Sequence, residues 1–88
     1  MADVNVGILG LGRVGASLGL ALKRYTEKGG GHTFIVAGYD NIPDNVKVAQ
    51  NLKAVDEVKN RPEEVTRNKD IIFMTLATHE AELVYPLI

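Results

Sequence analysis

The sequence predicts an α/β fold in which a parallel sheet carries helices on its faces. Three observations point there. Short runs rich in β-branched and other apolar residues recur at "VNVGIL" (4–9), "TFIVAGYD" (33–40) and "DIIFMTLA" (70–77). Each is apolar at nearly every position, as in strands covered on both faces. The segments between them have helical spacing, and alternating strands and helices build parallel sheets. At 88 residues the chain is one small domain or a piece of a larger one.

The elements follow in order. Residues 4–9 form the first strand. "RVGASLGLALKRYTEK" then places Val14, Leu18, Ala21 or Leu22 and Tyr25 on one helical stripe. Lys23, Arg24 and Lys28 fall near its C-terminal end, where cations suit the helix dipole. "GGGH" (29–32) stops this helix and makes a loop that includes His32. Residues 33–40 are the second strand. "NIPDNVKVAQNLK" opens a helix with Pro43 and Asp44 and runs through Val46, Ala49 and Leu52. "AVDEV" is a brief further strand, and "RPEEVTRN" a short polar helix opened by Pro62, Glu63 and Glu64. After the strand at 70–77, "THEAELVYPLI" reads as a helix capped by Thr78, with Leu83, Val84 and Leu87 inward and Pro86 limiting its length.

Composition narrows the functional classes. Apolar residues make up 45% of the chain and charged residues 24%, as in an ordinary water-soluble domain. A net charge of −1 gives no electrostatic case for nucleic acid or anionic membrane. There is no cysteine, hence neither a disulfide framework nor a thiolate metal site, and no metal site is expected. The first residues lack a cationic n-region, and no stretch approaches the roughly 18 apolar residues of a membrane span. The expected location is the cytoplasm.

The chemistry gathers in "VGILGLGRVGASLG" (6–19). Gly10, Gly12 and Gly15 are spaced G-x-G-x-x-G directly after a strand and at the opening of a helix. In that context the first glycine permits a tight turn, the second admits a pyrophosphate to the backbone, and the third lets helix and strand pack closely. The helix N-terminus offers unpaired N–H groups and the positive end of its dipole to the phosphates. Asp40, closing the next strand, is the expected acid for the adenosine ribose hydroxyls. It lies somewhat beyond the usual spacing of about 20 residues because the first helix is long and is followed by the glycine loop.

This reading predicts a Rossmann-type dinucleotide-binding fold of about four strands. Its cofactor site comprises Gly10, Leu11, Gly12, Arg13, Val14 and Gly15 in the turn, then Tyr39, Asp40 and Asn41 after the second strand. Leu76, Ala77, Thr78 and His79 complete it after the strand at 70–77, through backbone groups and the Thr78 hydroxyl. Arg13 is either a pyrophosphate contact or an exposed first-turn residue. His79 is an acid–base candidate, although a lone histidine in a first turn is more often a solvated bystander. Tyr39 and Tyr85 also read as packing residues, and Glu63 with Glu64 as a helix start. A carboxylate at Asp40 repels a 2′-phosphate, and residues 41–43 bring no cation, so NAD is expected over NADP.

"VGILGLGRVGASLGLALK", "VAGYD", "AVDEV" and "DIIFMTLAT" follow, in order, the pattern of prephenate dehydrogenase-like proteins, which the chain resembles along essentially its whole length. These belong to a wider group of NAD(P)-dependent oxidoreductases that includes the 6-phosphogluconate dehydrogenase-like enzymes. The resemblance implies pyrophosphate at Gly10 to Gly15, the adenosine ribose at Asp40, and the nicotinamide side at Ala77 and Thr78. Family members commonly carry a proline where this chain has His79. They continue into further strands and a helical domain with substrate-binding and catalytic residues. The 88 residues are therefore expected to be the N-terminal, NAD-binding part of a dehydrogenase acting on a small organic acid. A non-catalytic NAD(H)-sensing module is the alternative. With a neighbour on one side only, the strand at 70–77 is expected to promote self-association.

Overall fold

A computed structural model of the chain describes residues 2–29 and 31–76, together with Pro86. The apolar runs form strands, and the strands pair in parallel. The elements are β1 (Ala2–Leu9), α1 (Arg13–Glu27), β2 (His32–Tyr39), α2 (Pro43–Asn51), β3 (Glu57–Val58), α3 (Pro62–Thr66) and β4 (Ile71–Met74). β1 pairs with β2 from Ala2↔His32 to Leu9↔Tyr39, and with β4 from Val6↔Ile71 to Leu9↔Met74. The sheet order is β3-β2-β1-β4. This is the order of the first four strands of a Rossmann fold.

Because side chains alternate along a strand, β1 feeds two cores. Val6 and Ile8 pack with Ala16 of α1, Val36 of β2 and Ala49 of α2. Leu9 points the other way, onto Val65 of α3. Two short strand segments are reinforced by carboxylates at their entry. Asp56, just before β3, accepts the Val36 N–H at 2.7 Å and the Lys23 ammonium at 2.9 Å. Asp70, just before β4, accepts the Asn5 N–H at 2.8 Å. Each extends the ladder where the strand proper has not yet begun.

Three sequence expectations change. On α1 the fully buried residues are Gly15, Ala16 and Gly19, while Val14 is 66% exposed and Tyr25 45% exposed. The helix approaches the chain beneath it so closely that a Cβ at Gly19 would strike the Ala54 carbonyl oxygen. Small residues therefore form the contact, and Leu18, Leu20 and Leu22 pack at its flanks. His32 is not in the loop but opens β2, paired with Ala2 at the end of the sheet remote from the glycine turn.

β4 is the third change. It is shorter than expected and open to solvent at Ile71, Ile72 and Met74. Among the described residues no strand pairs with its outer edge. An uncovered apolar edge is a template for another chain. The 88-residue chain on its own is expected to self-associate, and sedimentation as a clean monomer at tens of micromolar would contradict this. The helix expected from Thr78 onward lies outside the described residues.

Candidate functional site

β1 has β2 on one side and β4 on the other, so the order of the chain through the sheet reverses there. Ligands of open parallel sheets bind at the carboxyl ends of strands at such a reversal. The glycine turn occupies this position. Gly10 follows β1 directly and lies at φ +108°, a conformation that side chains oppose. Its N–H donates to the Tyr39 carbonyl at 2.7 Å. Its carbonyl accepts the Thr75 hydroxyl at 2.8 Å. A Cβ at Gly15 would collide with that same Gly10 carbonyl. Both glycines are thus required by the chain's own packing.

Gly12 is different. It is the N-cap of α1, with φ −70° and ψ −161°, which any residue adopts. A Cβ there would meet only the Asn45 amide nitrogen, at 3.8 Å. Among the described residues nothing asks for a glycine at this position. The helix it caps has no side-chain cap and no acid in its first turn, so among the described residues its leading N–H groups have no anionic side chain as partner. An open backbone beside an uncapped 15-residue helix has the geometry and the dipole that suit an anion.

Asp40 lies at the end of β2, where the sequence places it, and is half-buried. Its Oδ2 accepts the Leu11 N–H at 2.7 Å and the Asn45 amide at 3.1 Å, and its Oδ1 accepts the Ile42 N–H at 2.8 Å. A carboxylate has about four acceptor positions. Donors among the described residues fill three, leaving one on Oδ1. Asp40 therefore pins the glycine turn to the start of α2.

Two depressions flank this residue. A groove of about 260 Å³ runs between α1 and α2, lined by Leu11, Gly12, Arg13, Asn45 and Val48 among others. A cavity of about 370 Å³ opens beyond β2, where Asp40 and Asn41 meet Lys47 of α2 and Lys59 after β3. Lys59 is held by Glu57 at 2.7 Å. That hydrogen bond raises the Lys59 ammonium above its ordinary value and holds the Glu57 carboxyl below the usual range. Among the described residues Lys47 forms no salt bridge.

Residues 5–88 match the family described as NADP oxidoreductase coenzyme F420-dependent. The chain belongs to that family. No individual curated protein gives a significant match. Membership in the NADP oxidoreductase coenzyme F420-dependent family places the chain among the NAD(P)-binding oxidoreductases, the wider group that the sequence resemblance implies, without singling out the prephenate dehydrogenase-like branch.

Within this family member, the expected site residues fall into three sets. Gly10, Gly12, Arg13, Gly15, Asp40 and Asn41 surround the carboxyl ends of β1 and β2. Leu11 is in the same turn, but its side chain is buried in the core and only its N–H faces Asp40. Val14 is exposed beside Gly12. Tyr39 and Leu76 pack against Leu9 and Val65, in keeping with the packing role also read for Tyr39. Ala77, Thr78 and His79 lie outside the described residues. Sequence reading missed Asn45, Lys47, Lys59 and Thr75. Asn45 and Lys47 lie only five and seven residues beyond Asp40 but read as ordinary polar positions of α2, Lys59 is distant along the chain, and Thr75 reads simply as a β-former. No helix among the described residues is long and apolar enough to cross a membrane. The described residues bring no three metal-ligating side chains together.

Proposed function

We propose that this chain holds a nicotinamide dinucleotide across the β1–α1 turn and serves as the cofactor-binding part of an oxidoreductase. The observation that carries the proposal is Gly12, a glycine for which the described residues give no packing or backbone reason. A diphosphate approaching there meets main-chain N–H groups and the positive end of α1. The Oδ1 acceptor left on Asp40 takes a ribose hydroxyl. When bound, the dinucleotide gives or accepts a hydride at its nicotinamide ring. The chain's own part is to grip, orient and discriminate.

The phosphorylated form, NADP, has the better support. The family description names it. Asp40, the basis for expecting NAD, has three of its acceptor positions taken by donors of the glycine turn and α2, so it is committed in large part to the fold. Lys47 and Lys59 share its cavity. Calorimetric titration of the wild-type chain is expected to rank NADPH above NADH. Lys47→Ala is expected to lower NADPH affinity about fivefold and leave NADH within about twofold. Failure to bind either dinucleotide would overturn the proposal.

The family description names coenzyme F420 as the second redox partner, whereas the sequence resemblance implies a small organic acid. Turnover with each, measured on this chain together with a substrate-binding domain, separates them. Binding without turnover of either by that assembly would favour the non-catalytic sensing role.

A further inference from the structure

We propose that Thr75 is a positioning residue for the diphosphate, acting through the carbonyl of Gly10. This rests on the reading that a dinucleotide binds at the β1–α1 turn. Thr75 immediately follows β4 and is half-buried. Its N–H donates to the Leu9 carbonyl at 2.8 Å, which continues the β1–β4 ladder and fixes its main chain. From this anchored position its hydroxyl donates to the Gly10 carbonyl at 2.8 Å.

That carbonyl is the surface on which α1 begins. An added Cβ at Gly15 would collide with it and would come within 2.9 Å of the Thr75 hydroxyl oxygen. Hydroxyl, carbonyl and the first turn of α1 therefore form one stack without spare room. Gly10 is held from both flanks, its N–H by β2 and its carbonyl by β4. Its left-handed backbone has no side chain to limit its rotation. Without the hydroxyl, the peptide unit after Gly10 loses its hold on the β4 side. The first-turn amides that receive the diphosphate then lose their fixed height above the sheet. Preorganised donors bind charge well because they need no rearrangement on binding. Thr75 supplies that preorganisation from 65 residues away.

The test compares Thr75→Val, which keeps the shape and removes the hydroxyl, with Thr75→Ser and Thr75→Ala. ADP and adenosine are titrated calorimetrically into each full chain, and thermal unfolding is recorded alongside. Thr75→Val and Thr75→Ala are expected to weaken ADP about tenfold and adenosine less than about twofold, with Thr75→Ser within about threefold of wild type. The serine–alanine pair reads the hydroxyl even where the valine variant does not fold. Wild-type binding of ADP with unchanged affinity in the valine and alanine variants would overturn this proposal alone. So would equal losses for ADP and adenosine, or a serine variant as weak as alanine. A wild-type chain that binds neither ADP nor NADPH would overturn the dinucleotide reading itself.

Discussion

Gly12→Val is expected to fold normally and to lose dinucleotide affinity by about a hundredfold or more. The two halves of this result have separate causes. The backbone at Gly12 is extended and needs no special residue, and the space around its Cα is open, with Asn45 the nearest neighbour at 3.8 Å. Valine is a poor N-cap, so a stability loss of only about 0.5 kcal/mol is expected from the helix. Its methyl groups, however, would stand where a phosphate must approach. Losing two charge-assisted hydrogen bonds at about 1.5 kcal/mol or more each gives the stated factor. Urea unfolding and NADPH titration of the same preparation check both halves. Retained affinity in a folded variant would place the nucleotide elsewhere.

Gly15→Val is expected to do the opposite and damage the fold first. Here the obstacle is the main-chain carbonyl of Gly10, which cannot swing aside as a flexible side chain does. It is held by Thr75, and the turn containing it is held by β2. Forcing volume into such a contact costs about 3 kcal/mol, the upper part of the range for overpacked sites. A comparable drop in urea-unfolding free energy is the expected measurement, and unchanged stability would contradict the packing described. Placed side by side, the two variants divide a single motif. Gly15 serves the architecture, whereas Gly12 is proposed to serve the coenzyme.

How far the sequence leads depends on which interactions are local. The strands at β1, β2 and β4 could be read because continuous apolar runs have few alternatives in a small domain. Pro43 and Pro62 marked the starts of α2 and α3 for the same local reason. The buried face of α1 could not be read from its stripe of large apolar residues. What decides it is the distance of closest approach to Ala54 and Gly10, and no periodicity encodes that distance. The site divides likewise. Gly10, Gly12, Gly15 and Asp40 announce themselves by spacing. Asn45 and Lys47 enter through the way α2 leaves β2, and Lys59 and Thr75 only when the sheet brings the ends of β3 and β4 beside β2 and β1. The spacing marks Asp40 as a ligand for the cofactor but says nothing of the hydrogen bonds by which it ties the glycine turn, through Leu11, to Ile42 and Asn45 at the start of α2.

The pairing of β1 with β4 also has a bearing on synthesis. Leu9 and Thr75 are joined by a main-chain hydrogen bond across 66 residues of chain. Contacts so distant in sequence form late, because a long loop must close before they are rewarded. A nascent polypeptide that has not yet released Thr75 from the ribosome steadies Gly10 from the β2 flank alone. Competence for coenzyme capture would then arise only near the end of translation of this segment, well after its glycine signature has emerged.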